Sequence, residues 1–94
     1  MFRISRNDSG TILLEGRLDA SQVETASTVL DTLTTSCIVD FAGLDYISSA
    51  GLGVLLKTQK RLGGSGQSLK LIHMNKMIRD VFRIARFDLI FPIE

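Results

Sequence analysis

The sequence is poor in the features that mark a secreted or membrane-spanning chain. Its 94 residues include one cysteine, Cys37, and a single cysteine cannot form an internal disulfide, which fits a reducing compartment. No apolar run reaches the ~20 residues of a membrane-spanning helix. The first ten residues also lack the long apolar segment of a signal peptide. We therefore expect a soluble cytoplasmic domain with no membrane span.

Acidic residues are missing from one long window, although the net charge is only +1. Residues 1–48 carry seven acids and three arginines, whereas residues 49–94 carry eight bases and three acids. No acid lies between Ser49 and Arg79, so this window supplies no carboxylate for catalysis. The small net charge gives no indication of a nucleic-acid partner. Two solvated faces of opposite charge account for the difference between the two halves of the chain.

The first part of the chain predicts a β-hairpin followed by a helix. Residues 2–15 contain two short β-prone segments around a turn cluster. The glycine that follows, Gly16, should break the second strand. Apolar residues then recur at helical spacing across residues 20–33. Either Asp19 or Ser21 can cap this helix, the latter in a capping box with Glu24.

The rest of the chain predicts alternating strands and helices. The first of these elements is a central strand at residues 37–39, which we expect to be covered on both faces. A helix follows after residue 49 and ends at the turn 63–66, and the next strand lies at 69–73. The last elements are a helix capped by Asn75 and a short strand or tail at 89–93. The order β-β-α-β-α-β-α-(β) predicts one α/β domain over residues 1–94. It should have a mixed sheet of four or five strands, with helices largely on one face.

Specific core positions follow from the helical spacing. The predicted inward residues are Leu52, Leu55 and Leu56 in the second helix, and Met77, Ile78, Val81 and Ala85 in the third. Arg79, Arg83 and Arg86 should share the outer face of the third helix.

Residues 44–56, LDYISSAGLGVLL, place two serines and two glycines where the second helix begins. A glycine in a helix costs ~1 kcal/mol relative to alanine, so two of them in one first turn require a reason. One serine is expected to be the N-cap. Small residues at positions 50, 51 and 53 would leave the first N–H groups uncovered. Such a helix end suits an anion or a closely approaching backbone.

A serine nucleophile is one alternative for Ser49. The hydrolase elbow requires glycine two residues before the serine, where this sequence has Ile47. The single histidine, His73, ends a predicted strand, with no acid between it and Ser49. The glycine-rich residues 63–66 lack the Lys-Ser/Thr ending of a nucleotide-binding loop. We therefore predict no catalytic residues, no cofactor and no metal site.

Two motifs resemble a known family. Residues 40–56, DFAGLDYISSAGLGVLL, resemble the signature of the STAS family, the domain shared by sulphate transporters and anti-sigma factor antagonists. Residues 15–19, EGRLD, resemble the motif that precedes the first helix of that family. The element order also matches, so the resemblance covers essentially the whole chain and implies the STAS-like fold.

The resemblance implies a function of binding. Bacterial anti-sigma factor antagonists bind an anti-sigma factor that is a GHKL-type serine kinase. The kinase phosphorylates one serine at the start of the second helix, which breaks the complex, and a serine phosphatase reverses the change. Aligned on residues 51–52, this phosphoacceptor falls on Ser49, with Ser48 as the alternative. The implied partner-binding residues are Asp19, Ser48, Ser49, Ala50, Gly51, Gly53 and Lys57.

One departure from the family pattern leaves a second function open. The family has aspartate before the modified serine, and this sequence has Ser48 there. The alternative is a STAS docking subunit of an ATP-driven transporter or of a large stress-signalling assembly, without phosphorylation. A small serine hydrolase is a further alternative, and the sequence leaves the oligomeric state undetermined.

Overall fold

Four strands form one mixed sheet in the computed structural model, which describes all 94 residues. They are β1 (Phe2–Arg6), β2 (Ile12–Leu18), β3 (Cys37–Ile47) and β4 (Leu69–Ile72). The strands lie side by side in chain order, with β1 antiparallel to β2 and the other neighbours parallel. The predicted α/β fold with a mixed sheet is confirmed.

Three α-helices connect or follow the strands. They are α1 (Val23–Leu30), α2 (Ser49–Gly63) and α3 (Lys76–Ile84), with 3-10 turns at Ala20–Gln22 and Phe87–Leu89. Alternate residues of β2 are buried, and those between them are partly or fully exposed. The core therefore lies on one face of the sheet, and the other face is open. No helix combines the length and the apolar character that crossing a bilayer requires.

Strand β2 continues past the glycine that was expected to end it. Gly16 has φ +88°, and a Cβ added there would lie 2.0 Å from the carbonyl oxygen of Met1. That same oxygen accepts a hydrogen bond from Arg17 N at 2.9 Å. The register between β2 and β3 shifts after Gly16. The glycine is thus an irregularity inside the strand, where another backbone approaches closely, and the predicted strand end was wrong.

Strand β3 is longer than predicted and is covered on one face only. It runs for 11 residues, so the apolar segment before Ser48 belongs to the same strand as Cys37. Val39 is fully buried, whereas Ile38 is 37% exposed because its side chain lies on the open face. The expectation that both faces of this strand are covered was wrong.

Helix α1 is shorter than the predicted 20–33. Asp19 caps the 3-10 turn before it, and Gln22, the N-cap of α1 itself, makes no side-chain capping bond. At the other end, the Arg61 guanidinium donates to the carbonyl oxygens of Leu30 and Leu33 at 2.9 and 2.8 Å. A helix end leaves its last carbonyl groups without partners inside the helix. Because Arg61 supplies these partners, the end of α1 at Leu30 is stabilised.

Helix α3 is rotated relative to the prediction. Met77 is 56% exposed and Ala85 is exposed, so the prediction that these two residues lie in the core was wrong. Ile78 is buried as predicted, and Phe82 is buried instead of the other two. The Phe82 ring packs edge-on against three further phenylalanines, and this cluster sets the helix rotation. Its partners are Phe41, Phe87 and Phe91, with centroid distances of 5.9, 6.0 and 5.9 Å.

The last predicted strand is reduced to a single bridge. Ile93 pairs with Leu71 of β4. Leu71 N donates to the oxygen of Pro92, and Glu94 N donates to the oxygen of Leu71, both at 2.9 Å. The tail therefore covers part of the β4 edge without adding a full fifth strand.

Candidate functional site

Ser48 is the N-cap of α2. Its backbone is extended (φ −93°, ψ 173°), and its Oγ accepts a hydrogen bond from Gly51 N at 3.3 Å. Its own N–H donates to the carbonyl oxygen of Leu18, at the end of β2, at 2.9 Å. The hydroxyl of Ser48 is thus engaged by the helix start, as expected for one of the two serines.

Ser49 is the first residue of α2, and it is exposed. The N–H groups of Ser49 and Ala50 have no acceptor within the chain, whereas those of Gly51 and Leu52 bond to Ser48. The first turn contains no acidic residue. The positive end of the helix dipole therefore meets an exposed hydroxyl, an arrangement that favours a negative group at this position.

The two glycines of this helix start have different roles. Gly51 is buried, and a Cβ added there would lie 2.9 Å from both the carbonyl oxygen of Leu18 and Cγ1 of Ile47. A Cβ added at Gly53 would have no neighbour within 4 Å. Only Gly53 therefore leaves part of the exposed helix surface without a side chain. Gly51 instead allows α2 to approach the ends of β2 and β3, which corrects the expectation for this residue.

This difference predicts opposite effects of one substitution. Gly53→Ala should stabilise the fold by ~1 kcal/mol, because alanine is the better helix former and the site is open. Gly51→Ala should destabilise it by about 1–3 kcal/mol, since the added methyl group requires backbone shifts. Urea unfolding of the two variants beside the wild type measures both values. A gain of stability in Gly51→Ala would contradict the close contact with Leu18.

Asp19 lies beside this helix start, because β2 and β3 end next to each other with Leu18 paired to Ile47. Its Oδ1 accepts hydrogen bonds from the Ser21 hydroxyl at 2.6 Å and from Ser21 N at 3.0 Å. These bonds hold the pKa of the Asp19 carboxyl below its ordinary value. The site therefore carries a fixed negative charge close to the positive helix end.

One face of α2 carries the remaining predicted residues. Ser49, Gly53 and Lys57 are exposed and lie four residues apart, so they follow one another along the helix surface. Lys57 has no carboxylate partner within the chain. Ala50 is half-buried beside this face. We call these residues, together with Asp19, the α2 surface.

A cation–π pair that the sequence pattern did not predict lies next to the α2 surface. The guanidinium carbon of Arg17 lies 4.3 Å from the centre of the Tyr46 ring, and the two residues are directly paired between β2 and β3. The pair lies on the open face of the sheet, one residue before Leu18. It was missed because β2 was expected to end before Arg17.

The serine hydrolase alternative requires a histidine near Ser49, and the structure places His73 elsewhere. Nδ1 of His73 lies 3.0 Å from Oδ1 of Asp40, near the last pair of β3 and β4, Asp40 with Ile72. Strand β3 continues from Asp40 to Ile47, a rise of about 23 Å at 3.3 Å per residue. Ser49 and His73 are therefore not brought together. No group of three or more potential metal ligands is present either.

Comparison with known proteins assigns the family. Residues 2–92 match the family model described as "Mlab, STAS domain". The chain therefore belongs to the STAS family, as the motifs at residues 40–56 and 15–19 predicted.

Individual relatives share parts of the sequence or the whole fold. BtrV of Bordetella bronchiseptica, named as a candidate anti-sigma factor antagonist, is 43% identical over 56 residues, which are 60% of this chain and 48% of BtrV. The chain thus spans about half the length of that relative. The anti-sigma factor antagonist SpoIIAA in its unphosphorylated form matches 100% of this chain and 87% of its own, with a TM-score of 0.73 and 21% identity. Phosphorylated Bacillus SpoIIAA matches 100% of this chain and 91% of its own, with a TM-score of 0.71 and 21% identity.

Proposed function

We propose that this protein is an anti-sigma factor antagonist that acts by binding and has no turnover of its own. Its partner is an anti-sigma factor that is also a GHKL-type serine kinase. The proposal is carried by one observation: the exposed hydroxyl of Ser49 at the uncovered, positive end of α2. The name of BtrV and the function stated for SpoIIAA support the class of protein.

The partner binds the α2 surface. Gly53 and half-buried Ala50 leave room for another backbone to approach the first turns of the helix. Ionised Asp19 accepts hydrogen bonds or pairs with a cation of the partner, and Lys57 pairs with an acid. Ser48 and Gly51 support the helix behind this surface: Ser48 caps it, and Gly51 allows it to approach Leu18.

Phosphorylation of Ser49 switches this surface off. A phosphoserine adds about −1.5 to −2 charges and three acceptor oxygens. Within the domain, the free N–H groups of Ser49 and Ala50 favour the added charge. Against a packed partner, the same charge is desolvated and the phosphate clashes with the partner's surface. We expect a loss of ~3 kcal/mol, about a hundredfold in affinity, which a serine phosphatase reverses.

A switch of this kind leaves the fold unchanged. SpoIIAA has solved structures in both states, and this chain matches the two with TM-scores of 0.73 and 0.71. Since both states share the fold of this chain, they support a change of surface charge at Ser49 without refolding of the domain.

Phosphosite mapping tests the proposal. The chain is incubated with ATP and the GHKL-type kinase that a pull-down recovers from the source cell, and the products are analysed by tandem mass spectrometry. We expect phosphate on Ser49 only, because the hydroxyl of Ser48 caps α2. The Ser48→Ala variant should still be phosphorylated, and Ser49→Ala should not.

Two results would contradict the assignment. Phosphate on Ser48 would exchange the roles of the two serines. Tight binding of the kinase without phosphorylation under any condition would favour the docking-subunit alternative, with serine in place of the usual aspartate at position 48 as the reason.

A further inference from the structure

The largest cavity of the protein lies at the other end of the sheet from the α2 surface. It has a volume of about 340 Å³ and lies where β1 ends and where β2 and β3 begin. Strand β3 separates the two sites: Cys37 and Ile38 line the cavity, and Ser49 follows the far end of the strand. The two sites therefore lie at opposite ends of this 11-residue strand. The lining residues are Arg6, Ser9, Gly10, Thr11, Thr35, Ser36, Cys37 and Ile38.

The lining is cationic and rich in hydroxyl groups. Arg6 is its only charged residue, and four of the other seven carry hydroxyls. The Arg6 guanidinium has no carboxylate within ion-pair distance. It lies over Gly10, where an added Cβ would be 3.7 Å from Nη2. Burial raises the pKa of the Cys37 thiol, so this group adds no negative charge.

Hydrogen bonds fix two walls of the cavity in place. In the first loop, Asn7 Oδ1 accepts from the N–H and the hydroxyl of Ser9 and from the N–H of Thr11 at 3.1, 2.8 and 3.0 Å. In the second loop, the hydroxyl of Ser36 donates to Gln67 at 2.9 Å and accepts from Ser68 N at 2.9 Å. The hydroxyls of Thr11 and Thr35 make no hydrogen bond within the chain, so two donors remain for a ligand.

We propose that this cavity binds a phosphate group, held by the Arg6 guanidinium and by the hydroxyls of Thr11 and Thr35. A guanidinium without a carboxylate partner, surrounded by hydroxyl donors on fixed loops, matches the acceptor oxygens of a phosphate. The ligand is either inorganic phosphate or a small phosphomonoester, since the cavity has room for a short group attached to the phosphate.

The test is an NMR titration of the ¹⁵N-labelled chain with sodium phosphate and, separately, with glycerol 3-phosphate, at constant ionic strength. We expect saturable shifts confined to amides of residues 6–11 and 35–38. Arg6→Gln should weaken binding by about tenfold and Thr35→Val by about fivefold, as for charged and neutral hydrogen bonds. Arg3→Gln is the control, because Arg3 lies on the same strand but pairs with Glu15.

The two ligands distinguish the sources of the phosphate group. Tighter binding of glycerol 3-phosphate identifies a monoester site, and equal binding identifies a site for the phosphate alone. Shifts that do not saturate, or that spread over the cations Lys57 and Arg86, would overturn the proposal. So would unchanged affinity in Arg6→Gln. If that variant does not fold, unchanged affinity in Thr35→Val has the same meaning.

Discussion

The Ser49→Asp variant should fold normally and bind the anti-sigma partner at least about tenfold more weakly than the wild type. An acidic side chain is favourable at a helix N-terminus, and the N–H groups of Ser49 and Ala50 have no other acceptor in the chain. The loss should be smaller than the hundredfold expected for phosphate, because a carboxylate carries less charge. Titration calorimetry with the purified partner measures the affinity.

Two neighbouring variants serve as controls for this experiment. Ser49→Ala should bind like the wild type, since the hydroxyl itself is not required for contact. Ser48→Ala should lose ~1 kcal/mol of stability, the usual penalty for removing an N-cap, yet keep its affinity. Equal affinity of the wild type and Ser49→Asp would rule out Ser49 as the switch.

Leu55→Ala should cost about 2–5 kcal/mol of unfolding free energy, the range for removing a leucine side chain from a packed core. Leu55 is fully buried, on the face of α2 that packs in the core. Urea unfolding monitored by circular dichroism gives the value.

The adjacent leucine provides a matched control. Leu56 is only half-buried, which corrects the expectation that it lies in the core beside Leu55. Leu56→Ala changes the same number of atoms on the same helix, so its smaller cost should isolate the effect of burial. Equal losses in the two variants would mean that α2 is rotated relative to the described structure.

The features that the sequence predicted well are those set by neighbouring residues. Ser48 is the cap of α2, and Asn75 is the cap of α3, because short polar side chains bond to N–H groups a few residues ahead. The turn at residues 63–66 ends α2 with a left-handed glycine at position 66. Each of the two family motifs is also a local pattern, a strand followed by a helix start.

The features that the sequence missed depend on contacts between distant residues. Gly16 continues a strand because Met1 packs on it, and no local pattern distinguishes such a glycine from a strand breaker. The rotation of α3 follows from aromatic packing of Phe82 against Phe41. Arg61 of α2 bonds to the carbonyl groups that end α1, about 30 residues earlier in the chain. Long side chains reach partners that spacing along a single helix does not predict.

The contact between Gly51 and Leu18 joins the start of α2 to the end of β2. The carbonyl oxygen of Leu18 accepts the N–H of Ser48, and the Cα of Gly51 packs where a Cβ would lie 2.9 Å from it. Asp19 follows directly in the chain, so this contact joins the two sides of the α2 surface. The switch proposed at Ser49 acts through added charge and needs no rearrangement of this contact. Under the proposed mechanism, the response time is set by the kinase and the phosphatase, and the domain keeps no memory of its previous state.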